Sequence, residues 1–245
     1  MSAPHGRPKA RSRIGVFGGS FDPVHVGHLA LARAAAEAFD IDRMIVVPTG
    51  NSWQKTGTVR AQTPAMHRLA MIQIALSPLA KPPAQGCEWV VDDLEVRRPG
   101  PSYTIDTLQT LRSRLGPEVA LILILGSDQM RNLHTWHRHQ DLLAFAHIAA
   151  TQRERVPLAD LPEPVEHMVA QAGRQSLPDA PSGSIVFFQM PAVAVSATAL
   201  RQQLGRGEMP EELLPPGVSD YIRQHHLYHH RTAADNEQPT TDDHH

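Results

Sequence analysis

The stretch Gly15-Val-Phe-Gly-Gly-Ser-Phe-Asp-Pro-Val-His-Val-Gly-His28 holds the end of a strand, a turn and a helix start within fourteen residues. Ile14 to Phe17 is a short apolar run with β-branched residues, the mark of a buried strand. Gly18, Gly19 and Ser20 follow at once, and Leu29, Ala30, Ala34 and Phe39 carry a helix onward from Val26. A strand, a glycine-rich turn and a helix in that order aim backbone N–H groups and a helix N-terminus at an anion, most often phosphate. His25 and His28 sit at the junction, three residues apart and so on one helical face. Gly27 between them removes a side chain where a ligand or another part of the chain could approach closely.

The rest of the chain repeats this rhythm. Arg43 to Pro48 reads as a second buried strand, and a strand–helix–strand opening predicts a parallel sheet with right-handed crossovers. Thr49 to Gln62, with Trp53 and Lys55, is a polar loop leaving the edge where open α/β sheets bind ligands. Thr63-Pro64 starts a helix reaching Leu76, with Thr63 as its cap, and Ser77 to Gly86 is a Pro-rich connector. Glu88 to Val96 alternates as a strand does. Ser102 or Thr104 caps a helix running to Leu115, and Val119 to Leu125 is a central strand ending in the turn Gly126-Ser127-Asp128. A short helix closes over Leu142 to Phe145, and His147 to Thr151 is the next strand. Residues 153–182 carry several prolines and read as a surface excursion, with a helix between Pro164 and Gly173. Ile185 to Gln189 returns to the sheet, Val195 to Gly205 opens a helix, and Glu211 to Leu227 adds one or two short ones.

The expected fold is therefore a doubly wound, Rossmann-like α/β parallel sheet. It forms one domain over residues 13–228, between flexible tails at 1–12 and 229–245. With 23 Lys+Arg against 25 Asp+Glu the chain lacks the broad basic field of a nucleic-acid binder. Cys87 is the single cysteine, which leaves no disulfide framework and no cysteine-rich metal site. No apolar run approaches a membrane span, and Met1 to Arg13 lacks a signal-peptide core, so a cytoplasmic protein is expected. The terminal histidines lack a partner framework and read as a solvated tail.

A second constellation is Ser196-Ala-Thr-Ala-Leu-Arg201. Ser196 and Thr198 stand where a helix begins, able to cap it or to bond an oxyanion. Arg201, three residues after Thr198, shares its face and offers a permanently charged fork suited to a polyphosphate.

Together these stretches resemble the H-x-G-H adenylyltransferase superfamily, in the G-G-S-F-D-P-x-H-x-G-H form of bacterial nicotinate-nucleotide adenylyltransferases. The resemblance runs from Ile14 to Tyr228 and is weakest over 153–182. Ser196 to Arg201 is similar to the family's I-S-S-T-x-[IV]-R signature, with Ala197 in place of the second serine. Lys55 matches a basic residue of an H-K-like stretch, with Gln54 in place of the common histidine. Ser102-Tyr-Thr-Ile-Asp-Thr107, Gly126-Ser-Asp-Gln-Met130 and Trp136 match three further blocks, and Leu213 to Tyr228 resembles the C-terminal one.

The resemblance implies transfer of the adenylyl group of ATP to nicotinate mononucleotide. His25, His28 and Arg201 would be catalytic, the histidines and Arg201 supplying positive ends for the transferring phosphates. Gly18, Gly19, Ser20, Phe21, Lys55, Gly126, Asp128, Ser196 and Thr198 would bind ATP. Tyr103, Thr104 and Trp136 would bind the nicotinate. Mg2+ is expected on the ATP phosphates with no dedicated protein metal site, and neither nucleic acid nor membrane is an expected partner. Phosphopantetheine adenylyltransferases carry Thr where His25 stands and are much shorter. A class I aminoacyl-tRNA synthetase fragment would need a K-M-S-K-S-like loop, absent here. A nucleotide sensor that had lost catalysis would not be expected to keep His25, His28 and Arg201.

Overall fold

Six parallel strands lie in the order β3-β2-β1-β4-β5-β6 in the computed structural model, which describes residues 11–51, 62–79, 86–152 and 161–228. They are β1 (Arg13–Gly19), β2 (Arg43–Pro48), β3 (Glu88–Val91), β4 (Ala120–Leu125), β5 (His147–Gln152) and β6 (Ile185–Gln189). Leaving β1, the chain winds outward through β2 and β3, then returns to the other side of β1 for β4, β5 and β6. The winding reverses between β1 and β4, whose register pairs Ile14 with Leu121 and Val16 with Leu123. That is where open α/β sheets make a crevice beyond the strands' C-terminal ends.

Side chains alternate along each strand, so the sheet feeds two apolar layers. Phe17, Val46, Ile122, Ile124, Ala149 and Val186 face one layer with helices α1 (Val26–Ala38), α2 (Ala65–Leu76), α7 (Ala197–Gly205) and α8 (Val218–Gln224). Val16, Ile45, Leu121, Leu123, Ile148 and Ile185 face the other with α4 (Thr104–Leu115), α5 (Ser127–Arg131) and α6 (Glu163–Ala172). Strands buried on both faces explain the near-continuous apolar runs, such as Ala-Leu-Ile-Leu-Ile-Leu in β4.

Several expectations are corrected. The strand expected to Val96 stops at Val91, because Asp92 turns the chain: its Oδ1 accepts the N–H of Leu94 at 3.0 Å and a single helical turn, α3 (Leu94–Arg97), follows. Thr63 does not cap α2, which begins at Ala65 with Pro64 before it; the Thr63 N–H donates instead to Asp22. Neither Ser102 nor Thr104 caps α4; Tyr103 holds the cap position, and Ser102 Oγ accepts the N–H of Gly50 at 3.2 Å. The region before β5 coils as a 3-10 turn over His139–Ala144. The described part of the excursion is not detached: α6 buries Val165 completely in the second layer, and Gly173 bridges to Ile185. Lys55, Trp53 and Gln54, most of the Pro-rich connector, and both tails beyond 11–228 lie outside the described residues.

Candidate active site

The crevice at the reversal opens into a cavity of about 830 Å3, a volume within the range of small-molecule sites. His25, Gly27 and His28 form one wall, Gly126 and Asp128 after β4 a second, and Thr151 and Gln152 at the end of β5 a third. Residues 190–196 and the start of α7 complete it.

The histidine pair is fixed by local structure. His25 is the N-cap of α1 in extended conformation, and its backbone N–H donates to His28 Nδ1 at 3.2 Å. Nδ1 as an acceptor puts the neutral His28 ring's proton on Nε2. The two rings stack with centroids 3.6 Å apart and planes 20° from parallel. Phe21 stands edge-on beneath, 5.0 Å from His28 and 5.4 Å from Phe17. His25 is only 7% exposed, and its Nδ1 has no hydrogen-bond partner among the described residues. Burial pushes its imidazole down to about 4. Burial thus keeps the His25 imidazole neutral at pH 7 before substrate binds.

Two glycines allow this packing. A Cβ on Gly27 would lie 2.7 Å from Val195 Cγ1 and 3.2 Å from His25 Nδ1, so the close neighbour is the strand-to-helix connection before α7. A Cβ on Gly19 would press within 3.0 Å of the Phe21 ring.

Across the cavity, Ser196 caps α7, its Oγ accepting the Ala199 N–H at 3.1 Å. Arg201 Nη2 donates to Thr198 Oγ1 at 3.2 Å, as the three-residue spacing requires, while Nη1 donates to the Asp22 carbonyl at 2.7 Å. The fork thus ties α7 to the loop between β1 and α1.

Of the expected ATP contacts, Gly126, Asp128 and Ser196 line the cavity with His25 and His28. Gly18, Gly19, Ser20, Thr198 and Arg201 do not form its wall. The ring of Phe21, at 2% exposure, belongs to the core and serves as a floor for His28. Tyr103, Thr104 and Trp136 lie apart from the cavity: Thr104 opens α4, and Tyr103 and Trp136 pack against the second apolar layer. Tyr103 also packs against His137, with ring centroids 4.3 Å apart.

Sequence reasoning missed three buried polar residues. Arg68, 1% exposed, donates to the carbonyls of Ser20 (2.8 Å), Gly50 (2.9 Å) and Thr63 (2.9 Å). Its signal was available: Arg68, Ile72, Ala75 and Leu76 fall on one helical face, so a charge stands in an apolar stripe. Asp22 and Tyr228, 206 residues apart, meet in a hydrogen bond of 2.8 Å, and no local pattern announces that.

A parallel sheet reversed at a crevice, with an imidazole pair at one helix start and a capped helix with an arginine opposite, defines a nucleotidyltransferase scaffold. The chain belongs to the cytidylyltransferase-like family, whose model matches residues 16–203. Its relatives place it more narrowly, among the nicotinate-nucleotide adenylyltransferases. It is 39% identical over 219 residues to a probable nicotinate-nucleotide adenylyltransferase of Herminiimonas arsenicoxydans, covering 88% of this chain and 96% of that one. Against the corresponding protein of Pseudomonas fluorescens it is 40% identical over 224 residues, with 88% and 97% covered. The fold matches the Plasmodium falciparum nicotinic acid mononucleotide adenylyltransferase complexed with NaAD, at a TM-score of 0.66 and 19% identity over 89% of this chain and 98% of that one.

Proposed function

We propose that the protein transfers the adenylyl group of ATP to nicotinate mononucleotide, giving nicotinate adenine dinucleotide and pyrophosphate. The observation that carries this reading is the stacked His25–His28 pair on the wall of a nucleotide-sized cavity at the sheet's reversal point. The relatives' shared activity supports it. In the reaction a phosphate oxygen of the mononucleotide attacks the α-phosphorus of ATP, the new P–O bond forms, and the bond to the β-phosphate oxygen breaks with its electrons leaving on pyrophosphate.

No protein nucleophile is needed, so the protein's work is positioning and charge stabilisation. His25 presents a neutral imidazole and His28 its ring edge to the phosphates, Arg201 supplies permanent charge beside Thr198, and the α7 N-terminus at Ser196 adds its dipole. Gly18, Gly19, Ser20, Lys55 and Gly126 complete the ATP contacts in this reading. Mg2+ fits a site with one acidic side chain on its described wall, since that ion keeps several waters and takes one or two carboxylates. Asp128 would meet it there, and when bound it would neutralise triphosphate charge. Among the described residues no cluster of three or more His, Cys, Asp or Glu is disposed to hold a metal by itself, and no helix is long and apolar enough to cross a membrane. We place the protein in the cytoplasm with its soluble substrates.

The twelve-residue α4 begins without a side-chain cap, so its first-turn N–H groups at Tyr103 and Thr104 suit a nicotinate carboxylate, with Trp136 beside the ring. An amide would turn one N–H toward another donor, a mismatch of about 1–3 kcal/mol. Pyrophosphate release from ATP, measured with nicotinate mononucleotide, nicotinamide mononucleotide and phosphopantetheine, tests the reading. The acid is expected to be preferred over the amide by about tenfold or more in kcat/KM. Equal use of both would refute the carboxylate pocket, and release with phosphopantetheine alone would refute the substrate.

A further inference from the structure

The loop that delivers the histidines, residues 20–25, is held from four separate places in the chain. Arg68 Nη1 grips the Ser20 carbonyl at 2.8 Å, and Arg201 Nη1 the Asp22 carbonyl at 2.7 Å. The Asp22 carboxylate accepts the Tyr228 hydroxyl on Oδ1 at 2.8 Å and the Thr63 N–H on Oδ2 at 3.4 Å. Asp22 and Tyr228 are 5% and 7% exposed, so their bond is sealed from water. A buried carboxylate is retained only where such bonds compensate its lost hydration. Burial, and then the facing carboxylate, hold the Tyr228 hydroxyl protonated far above neutral pH, so it remains a donor.

We propose that Asp22 and Tyr228 form a buried latch by which the C-terminal end of the domain positions the histidine pair for phosphoryl chemistry. Only Pro23 and Val24 separate Asp22 from His25, and both are buried, Val24 completely. A shift of the Asp22 backbone therefore passes to His25 through a packed link. It passes on to His28, because the His25 N–H holds His28 Nδ1. Asp22 and Tyr228 are positioning residues: they act through the histidines and line no part of the cavity. The inference rests on the adenylyl-transfer reading and adds to it the groups that set the reaction geometry.

Tyr228→Phe keeps the ring and removes the bond. With wild-type and variant compared by pyrophosphate release, kcat is expected to fall about tenfold while KM for ATP stays within about twofold, the pattern of misplaced catalytic groups. In a background lacking both histidines, His25→Ala with His28→Ala, the same substitution should change the residual rate by less than about twofold, since the groups it positions are gone. Asp22→Asn provides the second variant; it should lower kcat likewise, and the double variant should be no slower than the worse single one. Folded Tyr228→Phe and Asp22→Asn proteins with wild-type kcat would overturn the latch. So would an undiminished tenfold loss in the background lacking both histidines, which would mark a general structural effect. A wild-type protein that releases no pyrophosphate from ATP and nicotinate mononucleotide would instead overturn the function itself.

Discussion

The neutral state of His25 has a measurable cost in acid. In the unfolded chain the imidazole titrates near 6.5, whereas in the fold burial pushes it down to about 4. Between those values the unfolded chain binds a proton that the folded one refuses. The stability tied to His25 is therefore complete above pH 6.5, declines as pH falls, and is lost below about 4. A difference of about two and a half pH units corresponds to about 3 kcal/mol, of which about 2 kcal/mol has gone by pH 5. At 7% exposure, little solvent screening reduces that figure. His25→Gln removes the titration while keeping a polar side chain. Urea unfolding of both proteins at pH 7 and pH 5 gives four stabilities, and the wild-type protein should lose about 2 kcal/mol more than the variant on acidification. The second buried histidine, His147, cancels in this comparison. Burial holds its imidazole below the usual value in both proteins, against the raising effect of the Ala180 carbonyl that its Nε2 meets. Parallel losses in wild type and variant would refute the buried neutral imidazole.

Three further outcomes follow from particular contacts. Gly27→Ala puts a methyl 2.7 Å from Val195 Cγ1; it should cost about 1–3 kcal/mol in thermal unfolding and raise KM for ATP, and a variant with wild-type melting and kinetics would contradict the close approach. Arg201→Lys keeps the charge but loses the fork that spans Asp22 and Thr198; kcat/KM for ATP should fall about tenfold or more, and unchanged kinetics would return Arg201 to the role of a surface cation. Burial pushes the Cys87 thiol up to about 11, so iodoacetamide at pH 7.5 should alkylate it far more slowly than free cysteine; equal rates would refute that environment.

How much of this was legible in the sequence depended on the range of the interaction responsible. β2 and β6 span the residues expected, and β4 and β5 differ from expectation by one residue at an end. Continuous burial in a parallel sheet writes itself into consecutive residues. The His25–His28 relation was legible for the same reason: both lie in one helical turn. What failed were the caps. Thr63 and Ser102 are good capping residues by type, but α2 begins at Ala65 behind Pro64, one residue beyond Thr63's reach as a cap, and the Ser102 Oγ accepts the distant Gly50 N–H. Asp92 broke a strand that alternation alone would have continued. Asp22, Arg68 and Tyr228 join through space across most of the chain, and local periodicity carries no record of such pairing. The residues expected to bind nicotinate stand between these cases: Tyr103 and Trp136 do pack in one layer, yet apart from the cavity that holds the histidines.

The distribution of charge explains how a site for two polyanions coexists with a near-neutral chain. A cation buried beside the core would carry a heavy desolvation cost before substrate arrived. Here the deepest group, His25, is kept neutral, so in the proposed reaction it would stabilise phosphate charge through a hydrogen bond and a dipole without that cost. The one fully buried arginine among the described residues, Arg68, spends its charge on three backbone carbonyls that shape the loops. In the proposed reaction permanent positive charge would be left to Arg201, only half-buried on α7, where water can hydrate part of the guanidinium. Electrostatic work is thereby divided by depth: dipoles inside, a full charge at the margin, and structural ions where no substrate reaches. This arrangement gains its catalytic field on substrate binding, when the phosphates displace water from groups already aligned.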